Sequence, residues 1–143
     1  MFYRSDNSVE NQMQIRPHFV KLNSYVDTKT TGHVKGIEAL ETIGLEGKNI
    51  LIVEDMIDTG TTMKAVLSKI TELYRPKSLR TAIAFHKKTR VNAEWGYFGD
   101  YTGFLMNEGV FVIGYGMDYN GHFRDLPHLC EINEDGIEAF RKQ

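Results

Sequence analysis

The spacing of apolar positions changes several times along the chain, and each change predicts an element. Residues 50–53 (ILIV) form an unbroken apolar run after the turn Glu46-Gly47-Lys48-Asn49, as expected of a strand buried on both faces. From Met63 the pattern steps by three and four through Val66, Leu67, Ile70 and Leu73, which marks one face of a helix, and Arg75-Pro76 stops it. Residues 79–85, 101–104 and 110–115, each with apolar and β-branched or aromatic residues, predict further strands, and His18-Phe19-Val20-Lys21-Leu22 reads as another short one. Buried strands alternating with a helix predict an α/β fold with a parallel sheet. In such sheets ligands gather at the carboxyl ends of the strands.

The polar stretches divide the chain. Residues 1–14 lack a period and predict a mobile arm or remnant, with one domain over residues 15–143. Residues 26–35 have loop composition, with Asp27, Thr28, Thr30, Thr31 and Gly32, and a loop of that length is uncommon unless it works as a lid. A chain of 143 residues with 41% hydrophobic content can bury a core. Its net charge of −2 gives no general attraction to nucleic acid or anionic membranes, so anion binding has to be local. No apolar stretch approaches the roughly 18 residues that cross a bilayer. A soluble, cytoplasmic chain is expected. The single cysteine, Cys130, sits in a strand-like Leu-Cys-Glu-Ile context and predicts packing rather than chemistry, and nothing has the spacing of a zinc site.

Candidate chemistry lies just after the predicted strands: Glu54, Asp55 and Asp58 with Thr59-Gly60-Thr61-Thr62, then Lys87 and Lys88, then Asp118 and Arg124. The three threonines offer hydroxyls, Gly60 permits close approach, and the following helix offers unpaired N–H groups; together they suit a terminal phosphate. Plain capping of the helix by Thr61 or Thr62 is the alternative. A P-loop and a dinucleotide-binding turn are excluded, because neither of their glycine patterns occurs. Asp-Thr-Gly-Thr is similar to the signature of aspartate-nucleophile phosphatases, but those need a second acid two residues after the first. Ile57 stands two residues after Asp55, so the spacing misses.

The longer run, an apolar strand followed by Glu54-Asp55, two apolar residues and Asp58-Thr59-Gly60-Thr61-Thr62, resembles the 5-phosphoribosyl-1-pyrophosphate (PRPP) signature of type I phosphoribosyltransferases. Phe111-Val112-Ile113-Gly114-Tyr115, Asp118-Tyr119-Asn120 and Phe123-Arg124-Asp125-Leu126 are similar to the hypoxanthine-guanine subgroup, and Lys87-Lys88-Thr89 and Ser24-Tyr25 fall at matching places. The resemblance implies a parallel-sheet phosphoribosyltransferase fold and transfer of phosphoribose from PRPP to N9 of hypoxanthine or guanine, giving a purine nucleotide monophosphate and pyrophosphate.

It also implies roles for individual residues. Thr59, Gly60, Thr61 and Thr62 would hold the 5′-phosphate, and Glu54 and Asp55 would face the ribose hydroxyls. Asp58 would act on N7 as general acid/base, Lys87 would donate to O6, Phe111 would stack on the purine, and the backbone of Val112 would read its edge. Asp118 would join a Mg²⁺ held by pyrophosphate, Arg124 would contact pyrophosphate, and Ser24-Tyr25 would belong to a mobile loop that closes over the site. A homo-oligomer, dimer or tetramer, is expected with it.

The resemblance runs from about Ile15 to Ile132. Family members carry an earlier strand and helix joined by a pyrophosphate-binding Leu-Lys-Gly loop, and no such tripeptide occurs here, so a fold lacking that first core strand and helix is expected. This keeps a second class open: a non-catalytic nucleotide-binding or assembly protein derived from such an enzyme. Without the resemblance, Lys87 reads as a solvated surface charge, Asp58 as a turn cap, and Asp118 with Arg124 as a surface ion pair.

Overall fold

The computed structural model describes residues 14–24 and 34–141. Tyr25, most of the predicted arm and most of the predicted lid lie outside these residues. The centre is a three-stranded parallel sheet in the order β3-β4-β5, made of β3 (Asn49–Ile57), β4 (Ser78–Lys88) and β5 (Tyr101–Asn107). Two small antiparallel pairs accompany it. β1 (Asn23–Ser24) pairs with β2 (Val34–Lys35), and β6 (Val112–Ile113) pairs with β7 (Cys130–Glu131).

Helix α1 (Thr61–Tyr74) makes the crossover from β3 to β4. It buries Met63, Val66 and Ile70, three of the five positions picked out by the stepping, while Leu67 is half-buried and Leu73 is 54% exposed. Val66 and Ile70 join Leu40 in a core against Ile50, Ile52 and Leu79. Met63 joins Ile57 and Ile83 in a second core under Trp95 and Tyr97. The helix ends at Arg75, which takes a left-handed conformation (φ 41°) directly before Pro76. Leu40 comes from a 3₁₀ helix, Ile37–Thr42.

Several sequence expectations are corrected. β3 runs to Ile57 and β4 to Lys88, so Glu54, Asp55 and Lys87 lie in the strands rather than beyond them. Ile50 and Ile52 pack on the core while Leu51 and Val53 are exposed, so β3 buries one face rather than the two that its apolar run predicts. Residues 18–22 form no strand. Residues 110–115 contribute only Val112–Ile113, and these pair antiparallel with β7 instead of extending the parallel sheet. The glycine at 114 (φ 89°) explains the stop: a Cβ there would sit 2.1 Å from the His128 carbonyl oxygen, so the chain turns tightly against residue 128. Two short helices were unforeseen, α2 (Arg90–Trp95) and α3 (Glu134–Ala139). Each is capped by a side chain, Thr89 Oγ1 accepting from Asn92 N and Asn133 Oδ1 accepting from Gly136 N.

Candidate nucleotide site

The β3–α1 turn is built around a glycine. Gly60 takes φ 78° at the helix N-terminus, and a Cβ there would meet the Trp95 ring at 2.9 Å and Asn92 Oδ1 at 3.0 Å. Gly60 is the N-cap, so Thr61 and Thr62 lie inside the helix and neither is its capping residue. Thr59 Oγ1 instead lies 3.1 Å from Thr61 Oγ1. Thr59, Gly60 and Thr61 open onto a shallow cavity of about 280 Å³, shared with Lys64, Val91, Glu94 and Trp95. Thr62 does not line it. Lys64, one turn into α1, brings a cation to this cavity that the sequence reading missed. Its i, i+3 relation to Thr61 was the available signal.

At the neighbouring strand end the chain brings Asp58, Lys87 and Phe111 together. Lys87 Nζ lies 3.4 Å from Asp58 Oδ2 and 5.8 Å from the centroid of the Phe111 ring. Lys87 is only 7% exposed, which a lysine tolerates only with partners, and this sets aside its reading as a solvated charge. Asp58 stays 60% exposed at its side chain, open to a ligand. Phe111 is 42% exposed and packs edge-on against Tyr119 at 5.4 Å. Val112 follows it, half-buried in β6 opposite Glu131. A larger cavity, about 520 Å³, lies between Phe111 and the Ile132–Ile137 segment and is not lined by Glu54, Asp55, Asp58 or Asp118.

The Glu54 carboxyl is pushed up to about 7, first by desolvation and then by the charge and hydrogen bonding of the adjacent Asp55 carboxylate. Glu54 nonetheless remains exposed, and solvent screens part of that repulsion. Asp118 and Arg124 pair with each other at 2.6 Å (Oδ1 to Nη2). Arg124 also donates to the Gly116 carbonyl at 2.7 Å, and Gly121 N donates to Asp118 Oδ2 at 2.6 Å. In this state the two side chains close a loop on themselves. Ser24 lies in β1.

Among the described residues no three His, Cys, Asp or Glu side chains form a metal cluster. A Mg²⁺ carried by phosphates needs only one or two protein carboxylates. Glu54 and Asp55 fit such an ion, because a cation beside them relieves their mutual repulsion. Asp118 fits less directly, since both of its oxygens already accept hydrogen bonds.

The family described as the phosphoribosyl transferase domain matches residues 7–120. The chain is 45% identical over 123 residues to hypoxanthine-guanine phosphoribosyltransferase of Rattus norvegicus, covering 86% of this chain and 55% of that protein. It is 42% identical over 129 residues to phosphoribosyltransferase domain-containing protein 1 of Homo sapiens, covering 90% of this chain and 56% of that one. The crystal structure of the Schistosoma mansoni hypoxanthine-guanine phosphoribosyltransferase in complex with IMP is similar over 66% of this chain and 47% of that chain, with a TM-score of 0.56 and 42% identity. A hypoxanthine-guanine-xanthine phosphoribosyltransferase is similar over 64% and 54%, with a TM-score of 0.58 and 34% identity. The chain belongs to the phosphoribosyl transferase domain family, and its parallel α/β sheet is the fold of those solved relatives. It spans about half the length of the curated relatives it matches.

Proposed function

We propose that this chain serves purine salvage, carrying the purine-binding and ribose 5-phosphate-binding parts of a site that transfers phosphoribose from PRPP to N9 of hypoxanthine or guanine. The observation that carries this reading is the convergence of Asp58, Lys87 and Phe111 from three separate segments, beside the Thr59–Thr61 cavity. An aromatic face, a buried ammonium donor and an exposed carboxylate together suit a flat heterocycle with a carbonyl oxygen and a titratable ring nitrogen.

In this site Phe111 stacks on the base and Lys87 donates to O6, which favours an oxo over an amino purine. Asp58 holds or removes the proton at N7, so that N9 is the better nucleophile; such groups contribute about 10²- to 10⁴-fold. Thr59 to Thr62 bind the 5′-phosphate through hydroxyls and helix N–H groups, with Lys64 beside them. Glu54 and Asp55 accept from the ribose hydroxyls, so the acids meet sugar and the turn meets phosphate. Mg²⁺, when bound, neutralises pyrophosphate charge, with Glu54, Asp55 and Asp118 as the available carboxylates. Arg124 leaves Asp118 to contact the leaving pyrophosphate. Ser24 and Tyr25 belong to the loop that excludes water.

The direct test incubates the full chain with PRPP, Mg²⁺ and hypoxanthine or guanine and measures IMP or GMP. Formation of the nucleotide is expected. Binding of IMP without turnover would make the chain a nucleotide-binding module, and failure to bind IMP at all would refute the site.

A further inference from the structure

Behind Asp58 and Lys87 lies a buried polar cluster to which the proposed chemistry gives no role. Asn92, on α2, is 4% exposed, and its neighbour Thr89 is 6% exposed. Asn92 Nδ2 donates to two main-chain carbonyls at 2.5 Å each, those of Asp58 and Lys87. Thr89 Oγ1 also donates to the Asp58 carbonyl at 3.4 Å, and it accepts from Asn92 N at 3.2 Å. Both close contacts of the amide nitrogen are with carbonyl oxygens, which fixes the orientation of the amide. One side chain thus spans the carboxyl ends of two neighbouring strands, at the two residues whose side chains form the 3.4 Å ion pair.

Packing alone does not account for this residue. Asn92 Oδ1 is buried without a partner, so an apolar side chain of similar size would fill the space with less desolvation. What an apolar residue lacks is a pair of hydrogens aimed at two different strands. The β3–β4 ladder cannot supply the same restraint, because its pairing register ends at Ile57 and His86. Lys87 still pairs onward with Met106 of β5, but Asp58 lies one residue past the β3–β4 ladder and takes no part in it.

We propose that Asn92 is a positioning residue: it clamps the Asp58 and Lys87 backbones together and so sets the spacing of the carboxylate and ammonium that read a 6-oxopurine. The base-affinity part rests on the purine-site reading above, whereas the clamp itself does not.

The test uses the full chain. In ¹H–¹⁵N spectra of the wild type the Asn92 side-chain amide protons are expected to exchange at least about tenfold more slowly than those of exposed amides, as protons held in buried hydrogen bonds do. Exchange as fast as at the surface would overturn the clamp, and this measurement needs no folded variant. Asn92→Ala should shift the Thr59 and Lys88 amide resonances, whose preceding carbonyls lose a donor, and weaken IMP affinity about tenfold. In a Lys87→Met background the same substitution should change IMP affinity by less than about twofold, because the spacing it sets no longer matters. An equal loss in both backgrounds would mean general support of the fold and would overturn the positioning role. A wild type that binds no IMP refutes the purine-site reading and the affinity effect with it; the exchange rates then uphold or overturn the clamp alone.

Discussion

Glu54 carries a proton question that its sequence position could not reveal. Its carboxyl is raised from 4.5 to about 7, so the folded chain holds that proton more tightly than the unfolded chain does. The stability this contributes is therefore complete below about 4.5 and is lost as pH rises through about 7. Glu54→Gln should leave thermal stability unchanged at pH 4 and raise Tm at pH 8, by no more than about 4 °C because solvent screens an exposed pair. Melting curves across that range check it, and a lower Tm for the variant at pH 8 would contradict the assignment. At Asp58, Asp58→Asn keeps the shape and removes proton transfer, so kcat should fall by about 100-fold or more. A steady-state kcat within about threefold of the parent would exclude Asp58 as the acid/base. Strand-end position singled out Asp58 and Lys87 in the sequence, but only the resemblance gave them roles, because a polar residue after a strand is otherwise ordinary surface. Asn92 and Lys64 were not found, since their contacts come from helices that cross behind and beside the turn.

Between sequence and element the outcome depended on how much of each element is covered. The stepping of α1 was readable because Met63, Val66 and Ile70 face the two core clusters, and the same pattern misplaced Leu73, which lies in the last turn and is exposed. Ile70, 2% exposed, is the most buried residue of that face, so Ile70→Ala should cost about 2–5 kcal/mol by chemical denaturation. Strand lengths were misread where polar residues continue the ladder. β5 shows what fixes its start: Arg80 pairs with Asp100 at 2.6 Å, and Thr81 N donates to the same carboxylate at 2.8 Å. These donors hold the Asp100 carboxyl below its usual range, first through the Arg80 hydrogen bond and then through the Thr81 backbone. Gly60→Ala tests the β3–α1 turn. It places a Cβ against Trp95 at a left-handed backbone position, and should lower stability by about 1–3 kcal/mol and weaken IMP binding. Calorimetry and binding isotherms on one sample would show both, and unchanged IMP affinity would remove the turn from the site.

For the whole molecule, alternation of strands and a helix was enough to predict the parallel α/β class, because a crossover helix is what parallel pairing requires. It was not enough to place residues 110–115, whose apolar run looks like a sheet strand until Gly114 turns it against residue 128. The three groups proposed to hold the base lie at positions 58, 87 and 111, so a ligand that touches all of them ties distant parts of the chain together. IMP at about 100 times its Kd should therefore stabilise the folded chain by about 2.7 kcal/mol, seen as a rise in Tm. A saturating concentration without any rise would speak against binding.

The stacking of Trp95 on Tyr97, with ring centroids 4.3 Å apart, places the chain's one tryptophan directly beneath Gly60. The protein thereby contains its own optical reporter. Phosphate entering the turn changes the field and contacts at the indole, so emission at one wavelength would follow occupancy of the turn without any label. Ribose 5-phosphate, which lacks a base, should move that signal as IMP does, whereas a free purine should leave it nearly still.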